Sequence, residues 1–237
     1  MGIGAIVAAA GSSTRMGDPS TGSGHATDKL FVPVAGRSLL AHVLATVQEC
    51  PLVQRIVLVV SSANLQRGRD LVAQHDLDKV SAVCRGGPRR QDSVRLGLEA
   101  IGHCDWVLVH DGARLLIEPA ISEGLAAARE TGAAVPVVPI ADTVKMAGPD
   151  GTIASTVDRS RLWAVQTPQL FRYDLLLRAH REVTADVTDD AAMLEALGLS
   201  VKLYPGSPLN IKVTTPQDLR LAEALLREAA RSGGHGP

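Results

Sequence analysis

Short apolar runs rich in β-forming residues alternate with segments of helical spacing along most of this chain. The runs are IGAIVAAA from Ile3, RIVLVVS from Arg55, KVSAVC from Lys79, WVLVH from Trp106 and AAVPVV from Ala133. Between them, Leu39, Leu40, Val43, Leu44 and Val47 fall on one helical face, as do Val94, Leu98 and Ile101. Pro119 suits the first turn of a further helix carrying Ile121 and Leu125. Near-continuous apolar strands alternating with amphipathic helices predict an α/β fold, a mostly parallel sheet with helices on both faces. Such sheets bind ligands at the carboxyl ends of their strands. Attention therefore falls on the residues after Ala10, Cys84, His110 and Val138.

Composition narrows the partners. Hydrophobic residues make up 46% of the 237 positions but aromatics only 3%, so the core must be built from Ala, Val and Leu. Few aromatics remain for stacking single-stranded bases. A formal net charge of -1 gives no global field for nucleic acid or an anionic membrane. Cys50, Cys84 and Cys104 form no CxxC pair, which argues against a disulfide framework or a zinc site and fits a reducing, cytoplasmic setting. The opening MGIGAIVAAAG lacks a basic leader, and its apolar run is too short to span a bilayer. It reads as a buried strand.

The first strand ends in IVAAAGSSTRMG, residues 6 to 17. Bare backbone followed by one fixed charge, Arg15, suits a polyphosphate, and it equally suits a tight turn ending in a surface arginine. Neither the P-loop pattern GxxxxGK[ST] nor the dinucleotide pattern GxGxxG is present. The Gly/Ser/Thr-rich stretch up to Leu30 is long for a strand-to-helix connection and reads as a lid or as an insertion, with Arg15 at its start and Lys29 near its end. In CRGGPRRQDSV, Gly86 and Gly87 permit close approach to a flat ligand. Pro88 is expected to start a helix with Gln91, Asp92 and Ser93 in its first turn. Asp92 and Ser93 fit helix-start residues, with Arg89 and Arg90 as solvated charges. They also fit a base pocket, where the Ser93 hydroxyl meets a pyrimidine edge. In WVLVHDGAR, Asp111 belongs at the strand exit, facing a sugar hydroxyl or a metal–phosphate group, and His110 reads as a packed strand-end histidine.

From Val137 the helical period fades. GPDG, starting at Gly148, is a turn signal between two extended polar runs and predicts a protruding β-arm at about 140–165. Such an arm is marginal alone and is expected to pack on a second subunit. Thr143, Arg159 and Thr167 lie in or beside it without a core role. In VTDDAAMLEALG, Thr188 or Asp189 caps a helix with Met193, Leu194 and Leu197 on its face. NIKVTTPQDL reads as a short strand and then a helix, with Thr215 as N-cap, Pro216 first and Asp218 reaching back. Lys212 inside that strand is an edge residue or the floor of an anion site. Residues 231–237 read as a frayed tail.

In this order the motifs AAAGSSTRMG, VHDGAR, DTVK, TVDRSRLWAVQTPQLF, TDDA and NIKVTTPQDL resemble the 2-C-methyl-D-erythritol 4-phosphate cytidylyltransferase family, from Ile3 to about Ala230. The resemblance implies a Rossmann-like nucleotidyltransferase fold over 1–237 as one domain, without the cyclase of fused forms. It implies a homodimer joined through the arm, and a Mg²⁺-dependent attack of methylerythritol phosphate on the α-phosphorus of CTP. Arg15, Lys29, Arg159 and Lys212 then match the catalytic cations. Ala8, Ala9, Ala10, Gly11, Ser12, Gly87, Asp92, Ser93 and Asp111 are assigned to the nucleotide. Asp111, Arg114, Thr143, Arg159, Thr167, Thr188 and Lys212 are assigned to the acceptor. No dedicated protein metal site is expected, since the CTP phosphates would hold most of the Mg²⁺. Asp28 stands where the family usually has proline, and HDGARL replaces HDAARP. Ribitol 5-phosphate cytidylyltransferases share much of this layout. A non-catalytic nucleotide sensor would not need the second anion site. A NAD-dependent oxidoreductase would need GxGxxG and an acidic residue where VLVVSSAN ends the second long strand.

Overall fold

A computed structural model describes residues 2–11, 28–115 and 121–232. The first strand, β1 (Ile3–Ala9), leads to a small hairpin of β2 (Pro33–Val34) and β3 (Arg37–Ser38), then to helix α1 (Leu39–Glu49). Strand β4 (Val53–Val60), helix α2 (Leu65–Gln74), strand β5 (Val80–Arg85), helix α3 (Arg90–Ile101) and strand β6 (Trp106–Asp111) follow in strict alternation. These four long strands lie parallel, β1 between β4 and β6 and β5 beyond β4. The sheet continues through helix α4 (Ile121–Thr131) into β7 (Ala133–Pro139).

Side chains alternate across each strand, and the helices divide accordingly. Ile3, Ala5, Val7 and Ala9 of β1 join Ile56, Leu58 and Val60 of β4 in a core shared with α1 and α4. Ile6 faces the other way, with Val57, Val59, Val107 and Val109, into a core shared with α3. Both sheet faces are thus covered, as the strand pattern requires. Gly97 marks how closely α3 lies on the sheet, since a Cβ there would sit 2.6 Å from Ile6 Cγ2.

Beyond β7 the chain departs from the expected arm. Strands β8 (Lys145–Ala147) and β9 (Ile153–Thr156) do form a two-stranded hairpin, with Met146 57% and Ile153 67% exposed. The end of the expected arm does not belong to it. Strand β10 (Trp163–Val165) pairs antiparallel with Pro139–Val137 of β7 and so is part of the central sheet. After it, β11 (Gln169–Arg172) inserts antiparallel between β6 and β7. Helices α5 (Tyr173–Glu182) and α6 (Asp190–Ala196) add Leu176, Met193 and Leu194 to the second core. Strand β12 (Lys202–Pro205) runs parallel to β7. Asp189, rather than Thr188, caps α6 by accepting from Ala192 N at 3.0 Å.

The last helix, α7 (Pro216–Ser232), starts as its sequence predicts: Thr215 N donates to Asp218 Oδ2 at 2.7 Å and Asp218 N donates to Thr215 Oγ1 at 3.3 Å. It runs through 231 and 232, so those positions are helical rather than frayed, and 233–237 lie outside the described residues. The expected strand around Lys212 is only an isolated bridge between Arg114 and Lys212. Its partner is the irregular turn leaving β6, which offers hydrogen bonds to Ile211 and Val213 but no continuous edge. Pro119, expected in a first helical turn, lies outside the described residues.

Candidate active site

A cavity of about 530 Å³ opens at the carboxyl ends of β1 and β6, beside the loop that follows β5. That is a size suited to a small ligand. Ala8, Ala9, Ala10 and Gly11 form one wall, Gly87 to Arg90 and Ser93 another, and Lys29, Asp111 and Lys212 bring charge. Thus Ala8, Ala9, Ala10, Gly11, Gly87, Ser93, Asp111, Lys29 and Lys212 from the sequence reading converge. Arg15 and Ser12 lie outside the described residues.

The loop after β5 is tied tightly to β1. Gly86 N donates to Val60 O at 2.8 Å, and a Cβ on Gly86 would come 2.4 Å from that of Ala10. Gly87 N donates to Ser93 Oγ at 3.1 Å, and the same hydroxyl lies 3.1 Å from Arg89 O. Ser93 therefore shapes the loop as well as lining the cavity. The helix α3 begins at Arg90, not at Pro88, because Arg89 is extended and acts as N-cap. Asp92 is outside the cavity lining. Its carboxylate accepts from Arg89 N at 3.2 Å and pairs with the Arg89 guanidinium at 2.9 Å, which holds its pKa below the usual range. This is the helix-start arrangement the sequence offered as one of two readings.

Asp111 ends β6 at the cavity floor. Lys212 Nζ lies 2.7 Å from its Oδ2, and Arg90 Nε lies 3.2 Å from its Oδ1. Burial pushes its pKa up, but Arg90 and Lys212 outweigh that and hold the carboxyl well below the ordinary range. Arg90 also pairs with the fully buried Asp190 at 2.6 Å. One of the two readings of this segment makes Arg90 a solvated charge, whereas the structure gives it two carboxylate partners. Its partners lie far along the chain, so no local pattern could have flagged it.

Behind Asp111 sits a polar clamp. His110 is fully buried, with Nε2 3.0 Å from Arg114 O. A carbonyl can only accept, so Nε2 carries the proton and Nδ1 accepts from Thr167 Oγ1 at 3.0 Å. That leaves Thr167 Oγ1 free to accept from Asp111 N at 3.1 Å. Thr167 is buried and supports Asp111 from behind rather than lining the cavity. Arg114 Nη1 donates to Asn210 O at 2.8 Å, which ties the Lys212 segment to the exit of β6. Thr143 and Thr188 are exposed and outside the cavity lining. Arg159 is also outside it, with its guanidinium donating to Ile140 O at 2.6 Å and to Ala141 O.

Burial lowers the His110 pKa to about 4. In the unfolded chain an ordinary histidine takes up its proton near 6.5, so acid favours unfolding across that window. His110 should contribute about 2 kcal/mol to the stability lost between pH 7 and pH 5. Urea unfolding at the two pH values, compared with His110→Asn, checks this: the variant should show a correspondingly flatter pH dependence.

Lys29 comes from a single 3-10 turn, Lys29–Phe31, capped by Asp28, whose Oδ1 accepts from Leu30 N at 3.1 Å. Asn64 Nδ2 donates to Asp28 Oδ2 at 2.5 Å, and the Arg67 guanidinium stacks 4.2 Å from the Phe31 ring centre. Asp28 thus anchors the Lys29 turn to the start of α2. This contact, too, was absent from the sequence reading.

Comparison with known proteins gives the family. The family model for 2-C-methyl-D-erythritol 4-phosphate cytidylyltransferase matches residues 3–228. A protein of that name from Dehalococcoides mccartyi strain 195 is 47% identical over 227 residues, covering 95% of this chain and 96% of that protein. One from Symbiobacterium thermophilum is 44% identical over 234 residues, covering 97% of this chain and 94% of that protein. The crystal structure of 2-C-methyl-D-erythritol 4-phosphate cytidylyltransferase from Thermus thermophilus superposes with a TM-score of 0.76 at 34% identity, covering 96% of this chain and 100% of that one. The 4-diphosphocytidyl-2C-methyl-D-erythritol synthase from Anaerococcus prevotii gives a TM-score of 0.79 at 27% identity, with 95% of this chain and 96% of that chain covered. The chain belongs to the 2-C-methyl-D-erythritol 4-phosphate cytidylyltransferase family.

Proposed function

We propose that this chain transfers the cytidylyl group of CTP to 2-C-methyl-D-erythritol 4-phosphate. A phosphate oxygen of the acceptor attacks the α-phosphorus. The bond from that phosphorus to the β-bridging oxygen breaks, pyrophosphate leaves, and 4-diphosphocytidyl-2-C-methyl-D-erythritol forms. The observation that carries this reading is Asp111 between two cations, Arg90 and Lys212, on the floor of the cavity where β1 ends. Transfer at phosphorus needs positioning and charge neutralisation more than a covalent nucleophile. Lys29, and Arg15 at the other end of its loop, neutralise charge developing on the α-phosphate and the leaving group. Lys212 and Arg159 orient the acceptor phosphate. The Gly87 to Ser93 loop reads the pyrimidine edge.

Mg²⁺ belongs to this reading as a partner of the triphosphate. Among the described residues no three His, Cys, Asp or Glu side chains converge on one point. Among the described residues that line the cavity the one carboxylate is Asp111, and Arg90 and Lys212 already engage its two oxygens, so the triphosphate would supply most of the ion's ligands. When bound, the ion offsets the charge of the phosphates.

The test is pyrophosphate release with Mg²⁺, CTP or UTP, and a panel of sugar and polyol phosphates. Methylerythritol phosphate with CTP should be the preferred pair, and equal rates across the panel would refute the assignment.

The reading also includes one nucleotidyltransferase domain and a homodimer joined through the β8–β9 hairpin. Arg159 then serves the neighbouring subunit's site. Mixing Arg159→Ala subunits with Lys29→Ala subunits tests this. A heterodimer would carry one site with both defects and one with neither, so activity should return to about half of wild type per heterodimer. If subunits exchange and no activity returns, the shared site is wrong.

A further inference from the structure

We infer that Asp190, which lies outside the cavity lining, is a positioning residue: it holds Arg90 so that Asp111 stays available to Lys212. The Arg90 guanidinium is divided between two carboxylates. Its Nη1 is 2.6 Å from Asp190 Oδ2 and its Nε is 3.2 Å from Asp111 Oδ1. The second oxygen of Asp111 is taken by Lys212 Nζ at 2.7 Å. A guanidinium prefers to meet a carboxylate with two parallel N–H donors. Asp190 stands in the way of that arrangement. Without its charge, Arg90 is released to take both oxygens of Asp111, and Lys212 loses its anchor.

Asp190 is built to resist displacement. It is fully buried as the first residue of α6. The preceding Asp189 caps that helix and also accepts from Gln169 Nε2 at 2.8 Å. Gln91, next to Arg90, donates to Ala185 O and accepts from Val187 N, both at 3.1 Å, which locks the approach to α6 against the start of α3. His180 Nε2 lies 3.4 Å from Asp190 Oδ1 on the far side. Burial opposes the Asp190 charge, yet Arg90 and His180 keep its pKa below the ordinary range. The carboxylate is therefore a fixed anion, and Arg90 is the side chain that must come to it.

The test reads the position of Lys212 directly, without turnover. Partial reductive methylation with formaldehyde and cyanoborohydride, followed by peptide mass spectrometry, gives the rate at Lys212 relative to Lys145 and Lys202 in the same molecules. In Asp190→Asn, Lys212 should label several-fold faster, approaching the rate in Asp111→Asn, and combining the two substitutions should add nothing further. Asp190→Glu keeps the buried charge but displaces Arg90 by one methylene, so a smaller rise of the same sign is expected. That variant decides the matter if Asp190→Asn does not fold. Wild-type labelling of Lys212 in the folded variant would overturn the inference.

A kinetic arm rests on the cytidylyltransferase reading above. Asp190→Asn should lower kcat/KM for methylerythritol phosphate on the order of tenfold, the scale of coupling within one ion-pair network. The loss should vanish in a Lys212→Ala background. A loss that multiplies there instead would mean Asp190 only supports the fold. If the wild-type protein does not turn over these substrates, the functional reading fails and the labelling experiment still decides the role of Asp190.

Discussion

Asp111→Asn is expected to lower the turnover rate at least a hundredfold and to destabilise the fold at the same time. The substitution leaves Arg90 and Lys212 facing a neutral amide, with Asp190 as the remaining carboxylate partner of Arg90. Removing one partner of a buried ion pair typically costs about 3–5 kcal/mol. Lys212 is 44% exposed, so water screens its side of the network and the loss should be nearer about 2 kcal/mol. Urea unfolding of the two proteins measures it. The sign of the pH dependence follows from the depressed pKa. The Asp111 contribution is fully present above the ordinary carboxylate range and is lost progressively as the pH falls through that range toward the depressed folded value. The stability gap between wild type and variant should therefore stay constant between pH 5 and pH 8. A gap that closes within that window would mean that Asp111 does not carry its charge through it. Unchanged turnover would remove Asp111 from the site.

Lys29→Ala should separate rate from binding. Lys29 lines the cavity from a turn whose geometry is set by Asp28, Leu30 and Asn64, so the substitution leaves the turn standing. A charge aimed at the transition state is typically worth about 3 kcal/mol, or on the order of a hundredfold in turnover. CTP affinity by calorimetry should change far less than kcat. Arg15→Ala should behave alike. A matching loss in affinity would make Lys29 a general binding residue, and wild-type turnover would exclude it from the reaction.

What could be read in the sequence was local. The alternation of apolar runs placed β1, β4, β6 and β7 because those strands are mostly buried on both faces, and β5, a half-exposed edge strand, because its run is rich in β-forming residues; neither signal needs knowledge of the neighbours. The helix start at Thr215 was legible for the same reason, since a cap and its recipient lie three residues apart, and that of α6 was narrowed to Thr188 or Asp189. Trp163–Val165 was assigned to the arm because a short strand in polar surroundings says nothing of its partner, and here that partner is β7. The pairing of Arg90 was hidden because Asp190 is 100 positions away. Asn64 escaped for a similar reason, being 36 positions from Asp28. Asp92 showed both of its possible roles, and only the folded arrangement shows its carboxylate turned back on Arg89.

The bridge between Arg114 and Lys212 has a consequence for how the protein comes off the ribosome. The cavity floor is assembled from two stretches of chain, and the contact of Arg114 with Asn210 spans 96 positions. A nascent chain that has completed β1, β4, β5 and β6 already carries Asp111 and the start of α3. It has no floor lysine, and the turn after Asp111, held by Ala8 O and His110, still lacks its contacts with Asn210, Ile211 and Val213. The cavity therefore has its walls before it has its floor: Ala8 to Gly11, Lys29, Gly87 and Ser93 all precede Asp111, and the floor lysine follows only after β7, β11 and β12 have extended the sheet.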